Sequence, residues 1–178
     1  MTEQTSASGN VGAVGAILSS FVLIDREIVI TRTFDAPRAL VFKVWTDPKH
    51  VAQWWGPSGF TAPVCELDLR VGGQFSIHLL GPNGVTYPCT GTFREIVKPE
   101  RIVYVGTSED GPACGSGLPP RSTVTVTFDE QDGKTLMTMR TILESVTARD
   151  AAIADGFNIG WGMSLERLAE YIAKGESK

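Results

Sequence analysis

The sequence is poor in the residues that most often carry chemistry. It has only two histidines, His50 and His78, and three cysteines, Cys65, Cys89 and Cys114. An odd number of widely spaced cysteines without a C-x-x-C pair speaks against a zinc site, and no metal is expected. Reduced thiols are the expectation, with a cross-strand Cys65 to Cys89 bridge the alternative in an oxidising compartment. Basic excess is missing too: 16 Lys and Arg stand against 20 Asp and Glu, a net charge of −4, and no basic run is interleaved with aromatics. Nucleic acid is therefore not an expected partner, and anionic lipid has no basic field to meet.

No apolar run reaches the roughly 20 residues of a membrane-spanning helix. The longest, Val11 to Ile24, is preceded by Glu3 as its only charge, where a secretory signal carries a basic segment. A membrane location is not expected and a cytoplasmic one is. Residues 1–25 read as an N-terminal extension, polar and disordered as far as Asn10 and then an added helix that docks on the domain or on a partner, with a weak membrane anchor or an unstructured leader as the alternatives. Residues 26–174 read as one domain and 175–178 as a tail. G-x-S-x-G is absent, and Gly72-Gly73 is a turn rather than a glycine-rich loop opening a helix, so neither an activated serine nor a phosphate cradle is indicated. No cofactor is expected.

What is present is an ordinary globular composition, 42% apolar and 20% charged. Ile28, Ile30, Arg32 and Phe34 alternate with Val29, Thr31 and Thr33 as a first strand. Pro37 and Asp47-Pro48 each open a short helix, the first carrying Leu40, Val41, Val44 and Trp45 on one face and the second ending near Trp55. Turn signals at Gly72-Gly73, Pro82-Asn83-Gly84, Lys98-Pro99-Glu100 and Asp132-Gly133 then divide the chain into strands near 61–70, 74–80, 85–97, 101–107, 121–129 and 134–143. The connection from Ser108 to Pro120 is long and rich in Gly and Pro, a length that marks function or mobility. Each strand has one apolar face, as with Phe75, Ile77 and Leu79 against Gln74, Ser76 and His78.

One element is available to cover that face. From Thr147 to Ala173 the residues Ile153, Phe157, Trp161, Leu165, Leu168 and Ile172 recur at helical spacing, which predicts a continuous rod of about 40 Å starting at a Thr147/Asp150 capping box. Gly156, Gly160 and Gly162 lie inside it although each interior glycine costs about 1 kcal/mol; tight packing of a core helix on the sheet is the first expected reason, with close approach of a bound molecule or a bend as the alternatives.

The runs Phe34-Asp35-Ala36-Pro37, Val41-Phe42, Trp45-Thr46-Asp47-Pro48, Trp54-Trp55-Gly56-Pro57 and Gly59-Phe60, followed by Gly160-Trp161 with Leu165, Leu168, Tyr171 and Ile172, resemble the SRPBCC superfamily. Within it the chain resembles the group named after the activator of the heat-shock-90 ATPase, in its stand-alone bacterial form. The resemblance covers about Asp25 to Ala173. It implies an α+β helix-grip fold: a curved seven-stranded antiparallel sheet wrapped around a long C-terminal helix, with two short helices after strand one. It also implies a cavity between sheet and helix, which the superfamily uses for lipid or polyketide binding, for cyclase or hydrolase chemistry, or not at all.

Candidate catalytic groups are few. His50 is expected at the surface and His78 on the outer sheet face. Glu66, Asp68 and Arg70 read as a solvated charged row rather than paired carboxylates. The informative set is aromatic and sulfur-bearing: Trp54, Trp55, Phe60, Phe75, Tyr87, Phe93, Tyr104, Met137, Met139, Phe157 and Trp161. These are the expected ligand-binding residues, with Tyr87 and Tyr104 orienting a polar group and the two adjacent tryptophans bordering the entrance. The expected function is non-catalytic binding of a small hydrophobic or aromatic molecule, in a carrier, sensor or stress-related sequestering role. Regulation of a heat-shock-90 chaperone through a surface patch, and a polyketide cyclase or hydrolase activity, are the alternatives. Monomer and homodimer both remain open.

Overall fold

A computed structural model describes residues 19–106 and 117–175. Most of the N-terminal extension, the greater part of the long Gly- and Pro-rich connection, Cys114 and residues 176–178 lie outside the described residues.

The chain opens with a strand hairpin. Strand β1 (Ser19–Ile24) pairs antiparallel with β2 (Glu27–Phe34), so that Phe21 lies opposite Ile30 and Leu23 opposite Ile28. Asp25, at φ 53°, and Arg26 make the turn. The docking helix expected over Val11 to Ile24 is thus corrected for its last six residues, which form a strand. Phe21 and Leu23 pack on the core while Val22 and Ile24 face out. Apolar residues on both faces hide the period of two, which is why this run could be read as a helix.

Two short helices carry the chain from β2 across to the far edge of the sheet. Helix α1 (Arg38–Thr46) follows Pro37, and α2 (Pro48–Trp54) is capped by the Asp47 carboxylate, which accepts from the Lys49 amide at 3.0 Å. The meander then runs through β3 (Thr61–Leu67), β4 (Gln74–Leu80), β5 (Thr86–Val97), β6 (Arg101–Gly106), β7 (Thr123–Gln131) and β8 (Lys134–Ile142). Strand β8 returns to β2, giving the order β1-β2-β8-β7-β6-β5-β4-β3 in one antiparallel sheet. The sheet has eight strands, the seven expected and β1 at its edge. On β5, Gly91 lies opposite Phe75, and an added Cβ there would come within 2.3 Å of the Phe75 ring. The ring therefore occupies the place of the missing side chain.

The concave face closes over the C-terminal helices. The expected single rod is two helices, α3 (Val146–Ala154) and α4 (Phe157–Ala173), separated at Asp155-Gly156. Gly156 has φ +94°, a conformation that interrupts a right-handed helix and that glycine adopts without a Cβ penalty. The start of α3 is also corrected: Ser145, not Thr147, is the cap, its hydroxyl accepting from the Ala148 amide at 3.0 Å. Asp150 instead accepts from the Arg149 guanidinium. Helix α4 buries Phe157, Trp161, Leu165 and Leu168 in the core between the sheet and the short helices, each worth about 1.5–3 kcal/mol as removed apolar surface. On α3 only Ala152 is buried, so α4 is the helix that the sheet grips.

Candidate functional site

A cleft of about 260 Å³ opens where α4 begins. Its wall is Trp55, Gly56, Pro57 and Phe60 from the segment after α2, Leu79 and Tyr87 from the β4–β5 hairpin, and Gly117. Its floor comes from Asp155, Gly156, Gly160, Trp161 and Ser164. The helical period explains the floor: positions 156, 160 and 164 are four apart and 161 and 164 three apart, so they share one face.

The wall is fixed to the floor by polar contacts that sequence reasoning missed. The Ser164 hydroxyl accepts from the Gly56 amide at 3.2 Å and lies 3.1 Å from the Gly160 carbonyl, to which it donates. One turn on, the Arg167 guanidinium donates to the carbonyls of Gly56 at 2.8 Å and Pro57 at 3.1 Å, and to Gln53 at 3.3 Å. These carbonyls lie in the last turn of α2 or just after it, where a cation is favourable. Desolvation pulls the Arg167 pKa below its ordinary value, with the charge of Glu170 opposing. The indole N–H of Trp161 donates to the Gly117 carbonyl at 2.9 Å, closing the third side.

The expected site residues separate into three groups. Trp55, Phe60, Tyr87 and Trp161 line the cleft. Phe75, Phe93 and Tyr104 line a second, inner chamber of about 20 Å³ together with Trp45, Leu67 and Ile102. Trp55 lines both. Trp54, Met137, Met139 and Phe157 are buried in the core and line neither space. Trp54 does not border an entrance, because α2 turns it inward, where its Nε1 donates to the Val44 carbonyl at 3.0 Å. Phe157, the first residue of α4, is likewise packed in the core.

The four tryptophans form one cluster. Trp45 stacks on Trp161, with planes 5° apart and ring centres at 6.1 Å, while Trp55 meets Trp161 edge to face at 5.0 Å. Trp54 lies 4.8 Å from Trp45 and 5.4 Å from Trp55. Such offset and edge contacts follow from the ring quadrupole.

Polar chemistry within the cleft comes, among the described residues, from the acidic Asp155 on its floor and from two hydroxyl side chains. Among the described residues its hydroxyls are those of Tyr87 and Ser164, and Ser164 is occupied as above. Neither histidine lines it. His50 is buried rather than at the surface, its Nδ1 2.7 Å from the Tyr171 hydroxyl on α4. That partner is 121 residues away in sequence, a contact no local pattern announces. His78 stands 3.1 Å from the Ser76 hydroxyl. Glu66 and Asp68 are not a carboxylate pair: Asp68 instead holds Arg70 at 2.8 Å in an exposed ion pair.

The cysteines also differ from expectation. Cys65 is a free, half-buried thiol while Cys89 is disulfide-bonded, so the Cys65 to Cys89 bridge does not form and Cys89 is not a reduced thiol. Among the described residues no group of His, Cys, Asp and Glu side chains could hold a metal ion, and no helix is long and apolar enough to cross a membrane.

A family model described as activator of Hsp90 ATPase homolog 1-like protein matches residues 35–173, most of the chain. No curated protein matches the sequence. Among solved structures, a protein from Nitrosomonas europaea is 23% identical, with TM-score 0.74 over 85% of this chain and 97% of its own. One from Mycobacterium smegmatis is 25% identical, with TM-score 0.73 over 85% and 93%. The AHSA1-like protein from Aeromonas hydrophila is 23% identical, with TM-score 0.64 over 84% and 95%.

Proposed function

The chain belongs to the activator of Hsp90 ATPase homolog 1-like family, and we propose that it binds a small, largely apolar ring-containing molecule in the cleft at the start of α4, without chemistry. The observation that carries this reading is the cleft itself, about 260 Å³ bordered by Trp55, Pro57, Phe60, Leu79, Tyr87 and Trp161. Its size lies between the cavity of about 150 Å³ that takes benzene and the lower end, about 300 Å³, of sites for drug-sized ligands. One or two fused rings fill it, and a long acyl chain does not.

Glycine supports the same reading. A Cβ at Gly160 would meet only Pro57, at 3.7 Å, so protein packing does not demand glycine there. What glycine preserves is the depth of the cleft.

Cyclase or hydrolase chemistry finds less support, because Ser164 is already engaged and neither histidine lines the cleft. Regulation of a heat-shock-90 chaperone rests on the name of the family. Native mass spectrometry of the freshly purified protein separates these readings. A bound small apolar molecule, lost on unfolding, is the expected result; a protein that arrives empty and takes up no ring compound from a panel would overturn it.

A further inference from the structure

The inner chamber has an unusual inventory. Among the buried side-chain polar atoms with no hydrogen-bond partner are the Tyr104 hydroxyl and the Trp45 Nε1, and both residues line this one space of about 20 Å³. Tyr104 is held by aromatic edges, with Phe75 at 5.3 Å and 87° and Phe93 at 6.4 Å and 80°. Trp45 is fixed by its stack on Trp161. Buried polar groups are nearly always satisfied, so two orphans around one small space call for a shared partner.

The chemistry of that partner follows from the donors. An indole N–H only donates, and a phenol donates when it is neutral. Burial pushes the Tyr104 phenol above its ordinary range, so it stays protonated. The partner is therefore an acceptor with two lone pairs. The remaining walls, Trp55, Leu67, Phe75, Phe93 and Ile102, provide no cation, and an anion there would lose its hydration without a counter-charge.

We infer, on the basis of the cleft-binding reading above, that the ligand carries a neutral carbonyl oxygen, which passes the edge of Trp55 and accepts hydrogen bonds from Tyr104 and Trp45 while its ring stays in the outer cleft. The chamber has room for one such atom, and a cavity of about 10–15 Å³ already takes a water. A ring does not fit there. Tyr104 and Trp45 thus determine specificity, and the class of ligand is a neutral aryl ketone, aldehyde or amide rather than a hydrocarbon or an acid.

The test uses three matched probes, 2-acetylnaphthalene, 2-ethylnaphthalene and 2-naphthoate, titrated calorimetrically into wild type and Tyr104→Phe. Wild type should bind the ketone about tenfold more tightly than the hydrocarbon, the scale of one neutral hydrogen bond or slightly more. Tyr104→Phe should remove most of that preference and leave the hydrocarbon unchanged. The bound ketone's C=O stretch should lie at lower frequency in wild type than in the variant. Because the variant deletes a hydroxyl with no partner among the protein groups, its melting temperature without ligand should not fall; a clear fall would mean the hydroxyl is already partnered, by protein or by a resident water, in the ligand-free protein and would overturn the inference. Hydrocarbon and ketone binding equally would overturn it and leave the cleft reading standing. Naphthoate binding tightest would refute the neutral class, and no probe binding at all would overturn both readings.

Discussion

Trp55 and Trp161 meet edge to face with ring centres 5.0 Å apart and planes at 77°, and the cleft lies against this pair. Trp55 comes from the segment after α2 and Trp161 from α4, so the contact joins the two parts of the chain that bound the site. All four tryptophans of the chain belong to the same cluster. A ring compound transparent at the red edge of the indole band, such as cyclohexylbenzene, should therefore change the intrinsic fluorescence excited there saturably and at one-to-one stoichiometry. Fluorescence that stays constant up to the solubility limit would contradict the cleft reading.

Two glycines should respond differently to alanine, for different physical reasons. At Gly91 a Cβ would lie 2.3 Å from Phe75 and 2.7 Å from the Val105 carbonyl, so ring and strand must both move. At Gly156 a Cβ meets nothing within 4 Å, and the cost is the φ of +94° alone. Gly156→Ala should cost about 1–2 kcal/mol, and Gly91→Ala more, about 2–3 kcal/mol or above. Denaturant unfolding of the two variants checks the order.

Arg32 is a cation on the concave face of the sheet. Its side chain is 3% exposed and its Nη1 lies 3.1 Å from the carboxylate of Glu166, which is 46% exposed. Its Nε has no partner. Removing the anion leaves a buried charge uncompensated, whereas replacing the cation with an apolar chain does not. Glu166→Ala should thus destabilise by about 1–3 kcal/mol, discounted for the exposure of Glu166. Arg32→Met should cost less. Thermal unfolding that ranks them the other way would show that packing of the Arg32 stem, over the Phe34 ring at 5.6 Å, is the larger effect.

Burial, and secondarily the charge of Asp47, push the Cys65 thiol up to about 11 from 9.0. The raised value means that the folded state holds its proton more tightly than the unfolded state. The corresponding stability is fully present below about pH 9 and is lost as pH rises toward about 11. Alkylation by iodoacetamide at pH 8 should be slower than for a free cysteine, since the thiolate is the nucleophile. The alkaline loss of stability should shrink in Cys65→Ser; an identical alkaline profile in that variant would assign the loss to other groups.

Much of the fold was legible because it is written in local signals. Pro37, Asp47-Pro48, Gly72-Gly73 and Asp132-Gly133 mark helix starts and turns, and the strand at 74–80 is matched end to end. Strand β1 was not legible, because Phe21 to Ile24 is apolar on both faces. A bend is among the readings of the three interior glycines, but the sequence does not say which of them breaks the helix, since periodicity continues from Ile153 to Phe157 while the positive φ of Gly156 is a property of the folded backbone.

The site divides in the same way. Face assignment and the family resemblance together singled out Trp55, Phe60, Tyr87 and Trp161, which line the cleft, but alternation cannot distinguish a residue facing a cavity from one facing packed core. Trp54, Met137 and Met139 are on the right face and filled in. Ser164 and Arg167 act through backbone groups more than a hundred residues away, and only folding brings those together.

The account depends on the cleft being the site where a ligand is held, and Gly160→Leu tests that most directly. The substitution places a side chain in the cleft beside Pro57 and raises helix propensity by somewhat under about 1 kcal/mol, so the fold should persist with an unchanged or higher melting temperature. Calorimetric titration with 2-ethylnaphthalene should give saturable one-to-one binding with a negative heat-capacity change in wild type, and none in Gly160→Leu. Undiminished binding by a folded Gly160→Leu would contradict the account.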